Sequence, residues 1–262
     1  MVNRTNVVLV LFFTSTFAYA VLGHPLLANA LADDDKPTTG FINRVHRQAD
    51  RDSKYVIFIP HDYDGKKPTP TILFLHGYSQ SGTDGLVQAE RGLAAAIRKR
   101  ERSFPFIVVF PQAHLRTEVA DSWRAGSPDG KRAIAMLDEV RRDFRVDVDR
   151  VYLTGYSMGG HGTFSLAAAH PSRFAAIVPI CGGASTSLVP QLRNVPCWCF
   201  VGDAEAPNTL TTIRILMKAI KDAGGRPIHH EYPGVGHHCF DQTYENPDVY
   251  EWLLTQSTRN RK

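Results

Sequence analysis

Residues 151–162, Val-Tyr-Leu-Thr-Gly-Tyr-Ser-Met-Gly-Gly-His-Gly, are the stretch that decides the fold of this chain. The first three are β-branched, aromatic or apolar, which predicts a buried strand. Residues 155–159 fit the pattern Gly-x-Ser-x-Gly, in which small residues let the backbone turn sharply from a strand into a helix. Such a turn strains the serine backbone, exposes its hydroxyl and points the positive end of the next helix at it. Ser157 is therefore a predicted nucleophile.

A glycine-rich phosphate loop or an ordinary strand–helix turn would share some of these residues. The strand pattern before the glycines and the helix-forming residues 163–169 after them favour the nucleophile. Because a serine hydroxyl attacks only when a base takes its proton, this interpretation also requires a base and an acid elsewhere in the chain.

The segments around this stretch alternate between strand and helix patterns. Apolar runs of strand length occupy residues 71–75, 104–110, 174–181, 197–201 and 228–232, and helical periodicity occupies 86–100, 131–144, 160–170, 207–223 and 248–254. Two earlier runs, 41–47 and 55–60, predict an antiparallel hairpin. Together they predict an α/β fold, with a mostly parallel sheet covered by helices on both faces. In such sheets the reactive side chains collect at the carboxyl ends of strands.

The composition indicates a soluble globular protein with one main domain. The chain has 262 residues, 43% of them hydrophobic and 21% charged, and a formal net charge of +4. The basic clusters at 98–100 and 141–142 end predicted helices and lack interleaved aromatic residues, so no nucleic-acid partner is predicted.

The first 32 residues differ in kind from the rest. Residues 7–20 are almost wholly apolar, a single charge, Arg4, precedes them, and small-x-small sites end at residues 20, 30 and 32. This pattern predicts a secretory signal peptide over residues 1–32, cleaved after about residue 20, 30 or 32. An uncleaved membrane anchor is the alternative, but the run is shorter than the ~20 apolar residues of a span. We expect a polar linker at 33–40, a catalytic domain at 41–262, and a secreted or periplasmic protein without stable membrane association.

Four cysteines, Cys181, Cys197, Cys199 and Cys239, follow in the second half of the chain. Export permits disulfides, but four cysteines allow three full pairings that the sequence does not rank. The side chains of Cys197 and Cys199 would face the same side of a strand, where they and Cys239 with its two preceding histidines could hold zinc. Their spacing is not that of a zinc ribbon, so neither a metal nor any other cofactor is predicted.

The base and the acid are predicted from loops that follow strands. His237 is the predicted base, because it lies in a glycine-containing loop directly after the last predicted strand; His238 is its rival. The acid should follow the strand at 197–201, where both Asp203 and Glu205 lie.

The remaining predicted groups would bind the substrate. The backbone N–H groups of Tyr78 and Met158 are the expected oxyanion donors, because each follows a strand next to glycine or at a helix start. Trp123 lies between a strand and a helix, where it could stack on an acyl or aromatic group or simply pack under a loop.

Four segments, residues 73–77, 155–160, 179–183 and 232–237, together resemble the α/β-hydrolase superfamily. Within it, the chain resembles secreted esterases grouped with polyhydroxyalkanoate depolymerases, feruloyl esterases and the phospholipase/carboxylesterase family. The resemblance covers about residues 41–256 and implies an α/β-hydrolase fold without a large lid.

The resemblance also implies the residue roles. Ser157, His237 and an acid near Glu205 would form a catalytic triad, with Tyr78 and Met158 at the oxyanion hole. Family members place their acid third after a glycine, as Glu205 stands after Gly202, although that acid is usually aspartate. We therefore expect Glu205 to be the acid, with Asp203 as the alternative.

The function expected from these residues is hydrolysis of carboxylic esters through an acyl-enzyme intermediate. The substrate would be a small-molecule or polymeric ester; its acyl and alcohol groups, and the oligomeric state, are not specified by the sequence. The alternatives are a serine peptidase of the prolyl-oligopeptidase type and a non-catalytic binding protein on the same scaffold.

Overall fold

The computed structural model describes residues 37–48, 51–114 and 122–261. The predicted signal peptide and the first half of the predicted linker, residues 33–36, lie outside these residues. Among the helices that the structure does describe, none has the length and apolar character needed to cross a bilayer.

Eight strands form one sheet in the order β1-β2-β4-β3-β5-β6-β7-β8. They are β1 (Gly40–Arg47), β2 (Asp52–Ile59), β3 (Thr69–Leu75), β4 (Ile107–Phe110), β5 (Val146–Tyr156), β6 (Ala176–Ile180), β7 (Trp198–Gly202) and β8 (Ile228–Tyr232). Strands β1 and β2 form the predicted hairpin, and β2 also pairs antiparallel with β4. All the other pairs are parallel, so the carboxyl ends of β3 to β8 lie at one edge of the sheet.

Helices cover both faces of this sheet, as the alternating pattern predicts. They are α1 (Leu93–Arg98), α2 (Pro128–Asp143), α3 (Met158–Ala169), α4 (Val189–Leu192), α5 (Pro207–Asp222), α6 (Phe240–Glu245) and α7 (Pro247–Thr255). One core packs α2, α3 and α5 against the sheet, and the other packs α1, α6 and α7 against the opposite face. Successive strand residues alternate between the two cores: Leu73 and Leu75 face the first, and Ile72 and Phe74 the second. The α/β-hydrolase fold expected from the sequence is therefore confirmed.

Three elements are clearly shorter than predicted: the helix expected at 86–100, the strand expected at 104–110, and β6, expected at 174–181. The helix expected at 86–100 is reduced to α1, because Gly92 before it has a φ of +59° and turns the chain away from a helical path. The strand expected at 104–110 begins only at Ile107, since Pro105 has no N–H to give to a neighbouring strand.

Candidate active site

The turn between β5 and α3 has the backbone geometry that its glycines imply. Ser157 has φ +55° and ψ −118°, a conformation that non-glycine residues rarely adopt. A Cβ atom added to Gly159 would lie 1.9 Å from the carbonyl oxygen of Leu75, at the end of β3. The N–H of Ser157 donates to the carbonyl of Ile180 at 2.9 Å. The strained serine is thus held between the ends of β3 and β6.

Hydrogen bonds connect three of the predicted site residues. The Oγ of Ser157 lies 2.9 Å from Nε2 of His237, and Nδ1 of the same ring lies 2.6 Å from Oε2 of Glu205. A carboxylate only accepts hydrogen bonds, so Nδ1 carries the proton and Nε2 is left to accept from the serine hydroxyl. The Glu205 side chain is only 5% exposed, whereas that of His237 is 42% exposed. The remaining carboxylate oxygen accepts from the N–H of Ala206 at 2.9 Å.

Asp203, the alternative acid, has a different partner. Its Oδ1 accepts from the N–H of Gly234 at 2.7 Å, and Gly234 has a φ of +71°. The exposed Asp203 therefore stabilises the turn that leads into His237, while Glu205 contacts the imidazole. His238, the alternative base, is exposed and packs edge-on against Phe240, with ring centroids 5.7 Å apart.

The two predicted oxyanion donors begin helices at the ends of neighbouring strands. Tyr78 is the first residue of a 3₁₀ turn after β3, and Met158 is the first residue of α3 after β5. These strands are paired, with Leu75 opposite Gly155. Because the N–H of a first helical residue has no partner inside its helix, both groups are suited to bind an anion.

His76 orients one of these N–H groups, a role that the sequence did not indicate. It is fully buried, and its Nε2 accepts from the N–H of Ala113 at 2.9 Å. Its Nδ1 therefore carries the proton and donates to the carbonyl of Gly77 at 2.7 Å. That carbonyl belongs to the same peptide group as the N–H of Tyr78, so the bond fixes the direction of this N–H. Burial lowers the pKa of His76 to about 4, which keeps the ring neutral.

Trp123 packs under this loop, so the substrate-stacking role considered for it is not available. Its side chain is buried at 1% exposure, and its Nε1–H donates to the carbonyl of His76 at 3.1 Å. Its ring meets the imidazole of His76 edge-on, with centroids 5.1 Å apart. The tryptophan supports the loop of the predicted oxyanion donors from below.

The zinc arrangement considered for the cysteines is not assembled by the fold. Cys197 and Cys199 belong to the core on one face of the sheet, whereas Cys239 belongs to the core on the other. Within the described part of the chain, the potential ligand atoms that lie within 4.8 Å of one another come from Cys181, Glu205 and His237. Two of these already bond each other, so this cluster is part of the site described above.

Comparisons with known proteins agree with the fold. A bifunctional acetylxylan esterase/xylanase of Neocallimastix patriciarum is 29% identical over 134 residues, which cover 49% of this chain and 18% of that protein. The "Probable feruloyl esterase C" of Aspergillus flavus is 26% identical over 169 residues, covering 60% of this chain and 54% of that one. The chain thus spans from about a fifth to about half of the length of these relatives.

A solved structure and a family model extend the comparison. The crystal structure of a thermostable esterase superposes with a TM-score of 0.74 at 27% identity, covering 83% of this chain and 63% of that one. The model of the Esterase family matches residues 47–209, more than half of the chain and including the turn at Ser157. The chain therefore belongs to the Esterase family and has its α/β-hydrolase fold.

Proposed function

We propose that this protein is a serine hydrolase that cleaves carboxylic esters through an acyl-enzyme intermediate. The observation that carries the proposal is the hydrogen-bonded series from Ser157 through His237 to Glu205. Family membership and the esterases among its relatives support the same reaction class.

The geometry suits a two-step reaction. Ser157 Oγ attacks the ester carbonyl carbon while His237 Nε2 takes its proton, and the same nitrogen then passes the proton to the departing alcohol. In the second step His237 takes a proton from water, the resulting hydroxide bonds to the acyl carbon and displaces Ser157 Oγ, and His237 returns the proton to that oxygen. Glu205 holds the ring in one tautomer and stabilises the imidazolium.

Both steps pass through a tetrahedral intermediate with a negatively charged oxygen. The N–H groups of Tyr78 and Met158 are the proposed donors to this oxygen, and loss of one such donor typically costs about 3–4 kcal/mol of barrier. The positive end of α3 adds to the same field.

Turnover by the purified protein tests the proposal. We would assay p-nitrophenyl esters of graded chain length, methyl ferulate, a polyester film and a peptide p-nitroanilide, and label Ser157 with a fluorophosphonate. We expect turnover of at least one ester, labelling of the peptide that contains Ser157, and loss of both in Ser157→Ala. Turnover of the anilide alone would favour a peptidase, and turnover of neither the esters nor the anilide would favour a binding protein.

Export is the second part of the proposal and rests on residues outside the described structure. The apolar run at 7–20 with its small-x-small sites supports a cleaved signal peptide. N-terminal sequencing of protein from the host should begin after residue 20, 30 or 32, and an intact Met1 on cytoplasmic protein would contradict export.

A further inference from the structure

Two of the four cysteines meet beside the candidate active site. The Sγ atoms of Cys181 and Cys239 lie 2.8 Å apart, and both residues are buried, at 1% and 0% exposure. Unbonded carbon atoms, which are smaller than sulfur, prefer separations of about 3.5–4.0 Å. We propose that Cys181 and Cys239 form a disulfide bond that fastens the loop of His237 to the carboxyl end of β6.

The other two cysteines are placed so that they remain thiols. Cys197 and Cys199 stand two residues apart in sequence and face the same core, so their positions are separated by about 6.6 Å along the chain. A disulfide requires Cβ atoms only about 3.5–4.5 Å apart, so these two do not bridge each other. The sheet separates both of them from Cys239, which lies in the opposite core. The structure thus favours one disulfide and two thiols over each of the three full pairings that the sequence left open.

The bond forms by ordinary thiol–disulfide exchange. Both S–H bonds are lost and one S–S bond forms; two electrons and two protons, the protons by way of solvent, pass to the disulfide of an oxidised thiol–disulfide oxidoreductase, which becomes a dithiol. In the folded protein, the neighbouring Cys239 and burial raise the pKa of Cys181, so its thiolate is suppressed there. Exchange therefore takes place during folding, before the His237 loop closes over the pair.

The bond would connect the two halves of the proposed Ser–His pair. Cys181 directly follows Ile180, whose carbonyl holds the N–H of Ser157 at 2.9 Å, and Cys239 lies two residues after His237. The two cysteines are 58 positions apart in sequence, so the link restrains a long loop. Cys181 and Cys239 are positioning residues: they act on catalysis only through the backbone that carries Ser157 and His237. This last consequence rests on the proposed function, whereas the bond itself does not.

Peptide mapping of protein folded in an oxidising compartment tests the bond directly. The protein is denatured without reductant, alkylated with iodoacetamide and digested. We expect alkylation at Cys197 and Cys199 only, and one linked pair of peptides that contains Cys181 and Cys239. Alkylation of all four cysteines, or any other linked pair, would overturn the proposal. Because this measurement needs no substrate, it decides the bond even if no ester is turned over.

A comparison of two double variants tests the effect of the bond. Reductant should lower the melting temperature of the wild type and of Cys197→Ala/Cys199→Ala by about 5–15 °C, and leave Cys181→Ala/Cys239→Ala unchanged. Activity is then measured at a temperature where all three proteins are folded. Compared with the oxidised wild type, the reduced wild type and Cys181→Ala/Cys239→Ala should both show a kcat about tenfold lower, with KM unchanged. A wild-type melting temperature that does not change when reductant is added would contradict the proposal. If the Cys181→Ala/Cys239→Ala variant does not fold, the response of the other two proteins still decides.

Discussion

The two sides of Ser157 are held in different ways. On the side of the proposed oxyanion donors, His76, Trp123 and Gln80 are all buried, with exposures of 3% or less. His76 and Trp123 each make a hydrogen bond to the backbone of this loop. On the other side, His237 is 42% exposed, in a loop that turns at a left-handed glycine, Gly234. The core itself therefore orients the side of the proposed oxyanion donors, whereas a few polar contacts and one sulfur pair orient His237, the proposed base.

Tyr156 joins the two sides across the nucleophile. Its ring stacks on Phe240, with centroids 4.0 Å apart. Phe240 directly follows the loop that carries His237, residues 233–239, which we call the base loop. Its hydroxyl donates to Oε1 of Gln80, at the end of the 3₁₀ turn that begins with Tyr78. A displacement of the base loop would therefore shift the ring of Tyr156 and, through its hydroxyl, the side chain of Gln80. A rigid half and an adjustable half of the site thus pack against one shared aromatic side chain, that of Tyr156.

The largest expected effect is on kcat, and it distinguishes the roles of the two carboxylates near His237, Glu205 and Asp203. Glu205→Gln removes the charge that holds the tautomer of His237, and should lower kcat by up to about 10⁴-fold, by analogy with the serine protease triad. Asp203→Asn is the matched control, because an amide oxygen can still accept from the N–H of Gly234. It should retain kcat within about threefold of the wild type. A collapse of activity in the Asp203 variant alone would exchange the two roles.

The next effect concerns the buried ring on the oxyanion side. Burial lowers the pKa of His76 to about 4, against about 6.5 in the unfolded chain. As the pH falls below about 6.5, His76 binds a proton in the unfolded chain but not in the folded protein, so the free energy of unfolding decreases. The loss from this residue should reach about 3 kcal/mol near pH 4. Urea unfolding at pH 7.5 and pH 4.5 measures it.

The variant His76→Ala is the comparison for this pH effect. Because this variant lacks the titrating ring, its free energy of unfolding should depend less on pH. The difference in free energy of unfolding between the wild type and the variant should therefore narrow as the pH falls. A gap that widens on acidification would show that His76 is protonated in the folded protein.

The same substitution should also reduce catalysis. Without the donor from Nδ1, the peptide group that carries the Tyr78 N–H is less firmly oriented, and kcat should fall about 10- to 100-fold with little change in KM. Trp123→Phe keeps most of the packing and removes only the Nε1–H bond to the carbonyl of His76, so its loss should be smaller. Equal losses in both variants would indicate a packing effect instead of an oriented donor.

The smallest effect distinguishes the base loop from an ordinary turn. Gly234 and Gly224 have φ values of +71° and +86°, and an added Cβ atom meets nothing within 4 Å at either position. Alanine should therefore destabilise the protein by about 1 kcal/mol at both, through backbone strain alone. Only Gly234→Ala should lower kcat, by about threefold, because only that turn leads into His237. Equal kcat values in the two variants would mean that the loop tolerates this strain without moving the base.

What the sequence could predict depended on how local each signal is. The turn at Ser157 and the alternation of strands and helices each depend on short stretches of sequence. The fold, and the placement of Glu205 and His237 at the carboxyl edge of the sheet, could therefore be predicted from them. The role of His76 depends on Ala113, 37 positions away, and the burial of Trp123 on contacts with that same loop. The contact of Cys181 with Cys239 likewise joins positions 58 residues apart and exists only in the folded protein. No periodicity or spacing in the chain encodes contacts of this kind.

The exposure of His237 has a consequence for the products of the proposed reaction. In that reaction a ring that is 42% exposed would activate whatever hydroxyl compound the solvent supplies, since one side of it is open to the medium. In a solution rich in methanol or glycerol, the acyl group on Ser157 would therefore pass to the alcohol in competition with water. The protein would then make esters as well as break them, in a ratio set by the composition of its surroundings.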